Sequence, residues 1–244
     1  MATSEMGRFW DQRAREDAFY FINNGLTYGD PDVDRFWESG RTDLDAILGL
    51  LELEIDPDED IVEIGCGVGR ITRELAARAR SVRALDASGE MVDRAREHNA
   101  ELASVEWLHG DGSSLRPIAD ASADGCFSYV VFQHIPDPEV TLGYVREIGR
   151  VLRPGGWAAF QVSNAPEIHA RRPLSERLRT RARAAIGRGP RGVGDPSWLG
   201  SAIALDDLER VTNQAGMTIE RTFGEGTQFC LVLLRRNARP ADHA

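Results

Sequence analysis

Residues 61 to 70, Ile-Val-Glu-Ile-Gly-Cys-Gly-Val-Gly-Arg, constrain the fold more than any other stretch. A run of buried-strand character there turns through three alternating glycines, Gly65, Gly67 and Gly69, into an amphipathic helical pattern. Glycine lets the backbone bend sharply and meet a ligand in van der Waals contact, where any Cβ would intrude. A dinucleotide turn of the G-x-G-x-x-G type needs its third glycine at the position held here by Arg70, so that a pyrophosphate can sit over the helix N-terminus. The spacing is instead G-x-G-x-G, and the carboxylate of Glu63 just upstream repels a pyrophosphate while suiting a ligand with an ammonium group. The pattern points away from a nicotinamide dinucleotide, and Arg70 reads as a residue that only opens the helix.

Two more carboxylates arrive at informative intervals. Val82-Arg83-Ala84-Leu85-Asp86 reads as a second strand, and Asp86 lies seventeen residues after Gly69, where a doubly wound sheet places the acceptor for ribose hydroxyls. Residues 105 to 112 read as a third strand ending at Asp111, which can accept a hydrogen bond from an exocyclic adenine amine, with Gly110 and Gly112 allowing close approach. Met91, five residues after Asp86 at the start of the helix that follows the second strand, can lay a polarizable thioether on an adenine face.

Strands are expected near 61–65, 81–86, 105–109, 124–132 and 157–163, with helices near 70–79, 89–102 and 138–151. Such alternation implies a parallel sheet built from right-handed crossovers. A helix over Leu205–Ala215 then precedes strands at Met217–Phe223 and Thr227–Leu234, whose short connection Gly224-Glu225-Gly226 suits a hairpin and makes the last strand antiparallel. The expected fold class is α/β: a doubly wound, mostly parallel seven-stranded sheet with an antiparallel last strand. Residues 1–55 form an aromatic-rich helical cap or lid, with one helix around Phe9, Trp10 and Tyr20, a second from Asp32 to Gly40, and a third capped by Thr42. Residues 56–163 form the ligand-binding core, 164–200 an arginine-rich insertion with a helix from Leu174 to Ile186, 201–236 the completing helix and hairpin, and 237–244 a polar tail.

The net charge of -10 argues against general binding to nucleic acid or to an acidic membrane surface. Cys66, Cys126 and Cys230 stand singly, without the spacing of a metal site or a disulfide framework, so no metal is expected and a reducing compartment is the simple reading. The first residues carry no apolar run of signal-peptide type, and Leu231–Leu234 is far too short to span a bilayer, so a cytoplasmic location is expected.

Taken in order, these segments resemble the class I S-adenosylmethionine-dependent methyltransferases, in particular their small-molecule branch and its ubiquinone- and menaquinone-biosynthesis-like group. Val62–Arg70 is similar to the first motif of that family, Leu85-Asp86-Ala87-Ser88 with Met91 to its second-strand acidic motif, and Gly110-Asp111-Gly112 to its adenine motif. Ser128–Asp137 is similar to the fourth-strand motif and Val151–Trp157 to the turn before strand five. The resemblance implies S-adenosyl-L-methionine as cofactor and S-adenosyl-L-homocysteine as product. It places Glu63, Gly65 and Gly67 at the methionine end, Asp86 at the ribose, and Met91, Asp111 and Gly112 at the adenine, with Val131 and Phe132 bordering sulfonium and adenine. The N-terminal helix then covers the cofactor mouth, with Arg13 reaching the cofactor carboxylate and Trp10 and Tyr20 facing the acceptor.

On the acceptor side, His134 follows strand four at the edge where such sheets bind substrates, and a neutral imidazole there can take a proton as a methyl arrives. His169 lies in the insertion and can face an acceptor. The eight arginines of that insertion either form a solvated helix face or line a mouth for an anionic small molecule. The expected activity is methyl transfer to an oxygen or nitrogen of a small molecule. An RNA or protein methyltransferase docking through the insertion, and a non-catalytic binder of the cofactor, are the alternatives. A monomer and a homodimer both remain open.

Overall fold

The computed structural model describes residues 2–169 and 195–238. The expected Leu174–Ile186 helix and all eight arginines of the expected insertion, from Arg171 to Arg191, lie outside the described residues. The elements are α1 (Ala2–Ile22), α2 (Val33–Leu51), β1 (Asp60–Ile64), α3 (Thr72–Ala76), β2 (Ser81–Asp86), α4 (Gly89–His98), β3 (Val105–His109), β4 (Ala123–Ser128), a 3-10 turn (Phe132–His134), α5 (Pro138–Val151), β5 (Leu152–Val162), α6 (Pro166–His169), α7 (Pro196–Leu199), α8 (Leu205–Gln214), β6 (Met217–Phe223) and β7 (Cys230–Arg236). The seven strands form one sheet in the order β3-β2-β1-β4-β5-β7-β6. Only β7 runs against the rest, pairing antiparallel with β5 on one side and β6 on the other. The order reverses between β1 and β4, so the C-terminal ends of these strands flank the crevice where doubly wound sheets bind ligands.

Local chemistry sets the boundaries. Asp32 caps α2 by accepting from the Arg35 amide, Ser88 caps α4 by accepting from the Met91 amide, and Asp137 with Pro138 opens α5. Central strand β1 is buried over Ile61–Ile64, as expected where helices cover both faces. One apolar layer joins Val62, Cys126, Phe160 and Val232 to α5 and α8; the other joins Ile61, Phe127, Trp157 and Leu233 to α2 and α3.

Several expected boundaries are corrected. The two helices anticipated on either side of residue 41 are one helix, α2; Thr42 caps nothing, since its hydroxyl donates to the Glu38 carbonyl inside it. Gly40 is a point of contact: a Cβ there would stand 2.2 Å from the Arg70 carbonyl oxygen. Strand β4 stops at Ser128, not 132, because Val130 takes a left-handed φ of 57° and the chain then enters the 3-10 turn. Strand β5 starts earlier, at Leu152, with an irregularity in its register between Ala123 and Gly125 of β4. The β6–β7 connection occupies residues 224–229, longer than the three-residue turn expected.

The Gly40 contact gives opposite signs to two effects. Alanine ordinarily stabilises a helix interior by about 0.5–1 kcal/mol over glycine, but forcing a methyl against a backbone carbonyl costs about 1–3 kcal/mol. Gly40→Ala is therefore expected to lower Tm in a thermal melt; a raised Tm would contradict this seating of α2 on the β1–α3 turn.

Candidate active site

The site is assembled where the turns after β1 and β2 meet. The Gly65 and Cys66 amides both donate to the Leu85 carbonyl, at 2.7 and 2.9 Å, and the Gly67 amide donates to Asp86 Oδ2 at 2.9 Å. The other oxygen of Asp86 accepts from the Ser88 amide at 2.8 Å. Asp86 thereby bridges the two turns and keeps one lone-pair direction on each oxygen for a further donor. Gly65 has φ 75°, and a Cβ there would lie 2.2 Å from Val131 Cγ2, so both conformation and space demand glycine.

Around this joint lies a cleft of about 1080 Å³, open mouth included. That is the scale of a site for a nucleoside cofactor together with a small acceptor. Glu63, Gly65, Gly67, Asp86, Met91, Gly112 and Val131 all line it, as do Trp10 and His134. Helix α1 supplies Met6, Trp10, Phe21 and Ile22 to the wall. It is held on the β2–α4 turn because the Ser88 hydroxyl donates to Asp11 at 2.6 Å, the Glu90 amide donates to the same oxygen, and Gly7 leaves room for the Ala87 carbonyl.

Glu63 is only 3% exposed. Burial pushes its carboxyl up to about 7, against the Thr72 hydroxyl, which donates to it at 2.6 Å, and the Arg70 guanidinium, which both pull it down. Burial likewise raises Asp86, opposed by the Ser88 and Gly67 amides. Two carboxyl groups beside one cleft, Glu63 buried and Asp86 half-buried, favour a cationic occupant.

Five of the residues singled out from the sequence do not line the cleft. Phe132 is turned into the core, with its ring 5.5 Å from those of Tyr144 and Phe160, because β4 ends at Ser128 and Phe132 lies in the 3-10 turn that follows. Arg13 pairs with Glu16 at 2.9 Å and lies over the rings of Phe9 and Phe21. Tyr20 packs edge-on against Phe21 and Tyr28. Asp111 is absorbed in its own turn, accepting from the amides and hydroxyls of Ser113 and Ser114. His169 spans Leu199 and Ser163, with each ring nitrogen 2.6 Å from its partner, and so ties α6 to the last residue of α7 and to the residue after β5.

His134 lines the cleft, but its chemistry differs from that of a base. The Trp198 carbonyl, 3.0 Å away, can only accept, so the imidazole proton sits on Nδ1. Nε2 then accepts from the Gln133 amide at 3.2 Å. Gln133 in turn accepts from Gln161 at 3.0 Å, and Gln161 Oε1 accepts from the Val130 amide at 3.1 Å. The second hydrogen of the Gln161 amide goes to the Gln228 carbonyl. This chain of buried amides holds Val130 in its strained conformation and leaves the imidazole with no free lone pair for an acceptor proton. Burial pushes His134 down to about 4, only partly offset by the Trp198 carbonyl.

The sequence reading missed Arg70, Thr72, Asp11 and the two glutamines. Gln161 carried a visible signal: it is the lone polar residue in Trp157-Ala158-Ala159-Phe160-Gln161-Val162, which forms a central strand. No group of three or more potential metal ligands clusters among the described residues. No described helix is long and apolar enough to cross a membrane.

A methyltransferase-domain family model matches residues 62–160, the segment that runs from the glycine turn through β5. Over that segment the chain is similar to a methyltransferase domain. The cofactor of such a domain is S-adenosylmethionine. The chain is 36% identical over 127 residues to a malonyl-[acyl-carrier protein] O-methyltransferase of Pectobacterium atrosepticum, covering 52% of this chain and 47% of the relative. It is 29% identical over 204 residues to a trans-aconitate 2-methyltransferase of Azoarcus sp., covering 79% and 78%, and 33% identical over 114 residues to an N-demethylindolmycin N-methyltransferase of Streptomyces griseus, covering 46% and 47%. The chain spans about half or less of the length of the first curated relatives it matches. Among solved structures, phosphoethanolamine N-methyltransferase 1 of Haemonchus contortus, in complex with phosphoethanolamine and S-adenosylhomocysteine, shares the fold at TM-score 0.68 and 17% identity, over 99% of this chain and 50% of that one.

The hydrogen-bond chain fixes the titration of this domain's His134. An unfolded imidazole takes its proton near 6.5, whereas His134 holds out to about 4, so its burial makes the fold less stable as pH falls through that window. Two-dimensional ¹H–¹⁵N NMR of the imidazole is expected to show a neutral ring protonated at Nδ1 at pH 6; an imidazolium at that pH would contradict the assignment.

Proposed function

We propose that the chain moves the methyl group of S-adenosylmethionine to an oxygen or nitrogen of a small molecule, releasing S-adenosylhomocysteine. The observation that carries this reading is the convergence of Gly65, Gly67, Glu63 and Asp86 on one cleft whose other wall is aromatic and apolar. The cofactor brings an already activated methyl on a sulfonium, so the protein has to bind, aim and exclude water. Glu63 faces the ammonium of the amino-acid end. Asp86, with its two remaining lone-pair directions, accepts from the ribose hydroxyls. Met91, Gly112 and Val131 border the adenine, and Asp111 acts there only by shaping its turn.

The acceptor chamber is framed by Trp10 and Phe21 from α1, by Tyr144 from α5, and by His134 as a neutral wall. His134 and Trp198 stand against Trp10 with ring centroids 5.4 and 6.3 Å from it, which closes that side to water. Rate acceleration comes from in-line positioning, and no side chain lining the cleft is required as a covalent or general-base partner. The relatives include an O-methyltransferase of malonyl-[acyl-carrier protein] and an N-methyltransferase of N-demethylindolmycin, which supports an O- or N-acceptor.

Removing the Asp86 carboxylate tests the cofactor assignment. Asp86→Ala is expected to weaken S-adenosylhomocysteine binding about 10- to 100-fold by calorimetry, the loss of charge-assisted hydrogen bonds. It should also lower Tm, because the Gly67 and Ser88 amides lose their acceptor. Unchanged affinity would remove Asp86 from the ribose. The ionisation of Glu63 supplies a second check. Its carboxyl charges as pH rises through about 7, so affinity for the cationic cofactor is expected to increase between pH 6 and 8 and the slope to flatten in Glu63→Gln. The activity itself is tested by S-adenosylhomocysteine release in the presence of carboxylates, phenols and amines. Turnover with none of these classes, despite tight cofactor binding, would favour a non-catalytic binder.

A further inference from the structure

The Arg70 side chain is only 7% exposed and lies on the wall of the cleft beside Gly65, Gly67 and Glu63. One end of its guanidinium is committed: Nη1 donates to Asp43 at 2.5 Å and to the Ser39 hydroxyl at 3.1 Å, both on α2. The other edge is not. Nε is buried with no hydrogen-bond partner, and no hydrogen bond among the described residues engages Nη2. Nε and Nη2 together form the side-on edge of the fork, the edge that takes a carboxylate through two parallel hydrogen bonds. A buried donor without an acceptor is destabilising, so this edge is poised for an oxyanion.

The surroundings narrow which oxyanion. Glu63 lies close enough to Arg70 for the guanidinium to bear on its ionisation, and both line the same end of the cleft. A ligand end carrying an ammonium and a carboxylate on one carbon matches that pair of opposite charges. Asp43 and Ser39 anchor the guanidinium from behind, so its free edge is set before a ligand arrives, and Gly40 leaves room for the Arg70 stem to run along α2. Arg13, the cation expected from the sequence to meet the cofactor carboxylate, also has a buried Nε without a partner, but it does not line the cleft, and its guanidinium pairs with Glu16 and lies over two aromatic rings.

We infer that Arg70 receives the α-carboxylate of the methyl donor, opposite Glu63 at the ammonium. This deepens the cofactor reading above and rests on it. The test compares S-adenosylmethionine with its decarboxylated form, which keeps the amine, the sulfonium and the nucleoside but has no carboxylate. The wild-type chain is expected to bind S-adenosylmethionine about 10- to 100-fold more tightly by calorimetry, the scale of a charge-assisted bidentate contact. In Arg70→Gln that preference should largely vanish, while affinity for the decarboxylated form changes less than about threefold. Arg70→Lys keeps a cation opposite Asp43, and so the docking of α2, but lacks the second fork donor. It should lose most of the preference too, and it serves if the glutamine variant does not fold. Equal weakening of both ligands in the variants would show a purely structural arginine and overturn the inference, as would a wild-type chain indifferent to the carboxylate. A wild-type chain that binds neither ligand would instead sink the cofactor reading, and this inference with it.

Discussion

Asp86 is the joint on which the site depends. Its two oxygens hold one amide from the turn after β1 and one from the turn after β2, which sets the spacing of two loops that pairing between the strands alone would leave free. The same β2–α4 turn receives α1, through Asp11 on Ser88 and Glu90 and through the close pass of Gly7 over Ala87. Helix α1, the glycine turn and the candidate ribose acceptor are thus one mechanical unit. A change in any of them reaches the others across a few ångströms of hydrogen-bonded backbone.

The opposite wall is fixed by a different device. Val130 sits at a φ that a β-branched residue rarely adopts, at an expense of about 1–2 kcal/mol. Its amide is caught by Gln161, which is joined through Gln133 to His134 and on to the Trp198 carbonyl. A fully satisfied buried polar network specifies one arrangement of its members. Here it presents Val131 to Gly65 and holds the His134 ring neutral against Trp10. The histidine that looked from its position like a base is a wall whose nitrogens are both engaged.

Much of the fold and the heart of the site were legible in the sequence because they rest on local rules. Gly65 and Gly67 announce a left-handed turn, Asp86 ends a strand at a fixed interval, and the strand and helix periods alternate. The parts that were not legible depend on partners distant in sequence. Arg70 reads as a helix opener until Ser39 and Asp43 are seen behind it, and Gly40 reads as a break until the Arg70 carbonyl is seen against it. Phe132 was placed on the cleft beside Val131 by the family resemblance, but β4 ends at Ser128 and the 3-10 turn that follows leaves Val131 on the cleft and Phe132 in the core. Asp111 and His169 are polar residues whose nearest partners, two serines in one case and Ser163 with the Leu199 carbonyl in the other, answer them completely.

The central claim is that the turns after β1 and β2, together with α1, close around one cationic nucleoside ligand. Amide hydrogen exchange with and without S-adenosylhomocysteine tests it most directly. The account predicts slowed exchange at residues 65–70, 86–91 and 110–112 and along α1, with β6 and β7 unaffected. Exchange that is unchanged in these turns at saturating ligand, or protection confined to other parts of the chain, would contradict it.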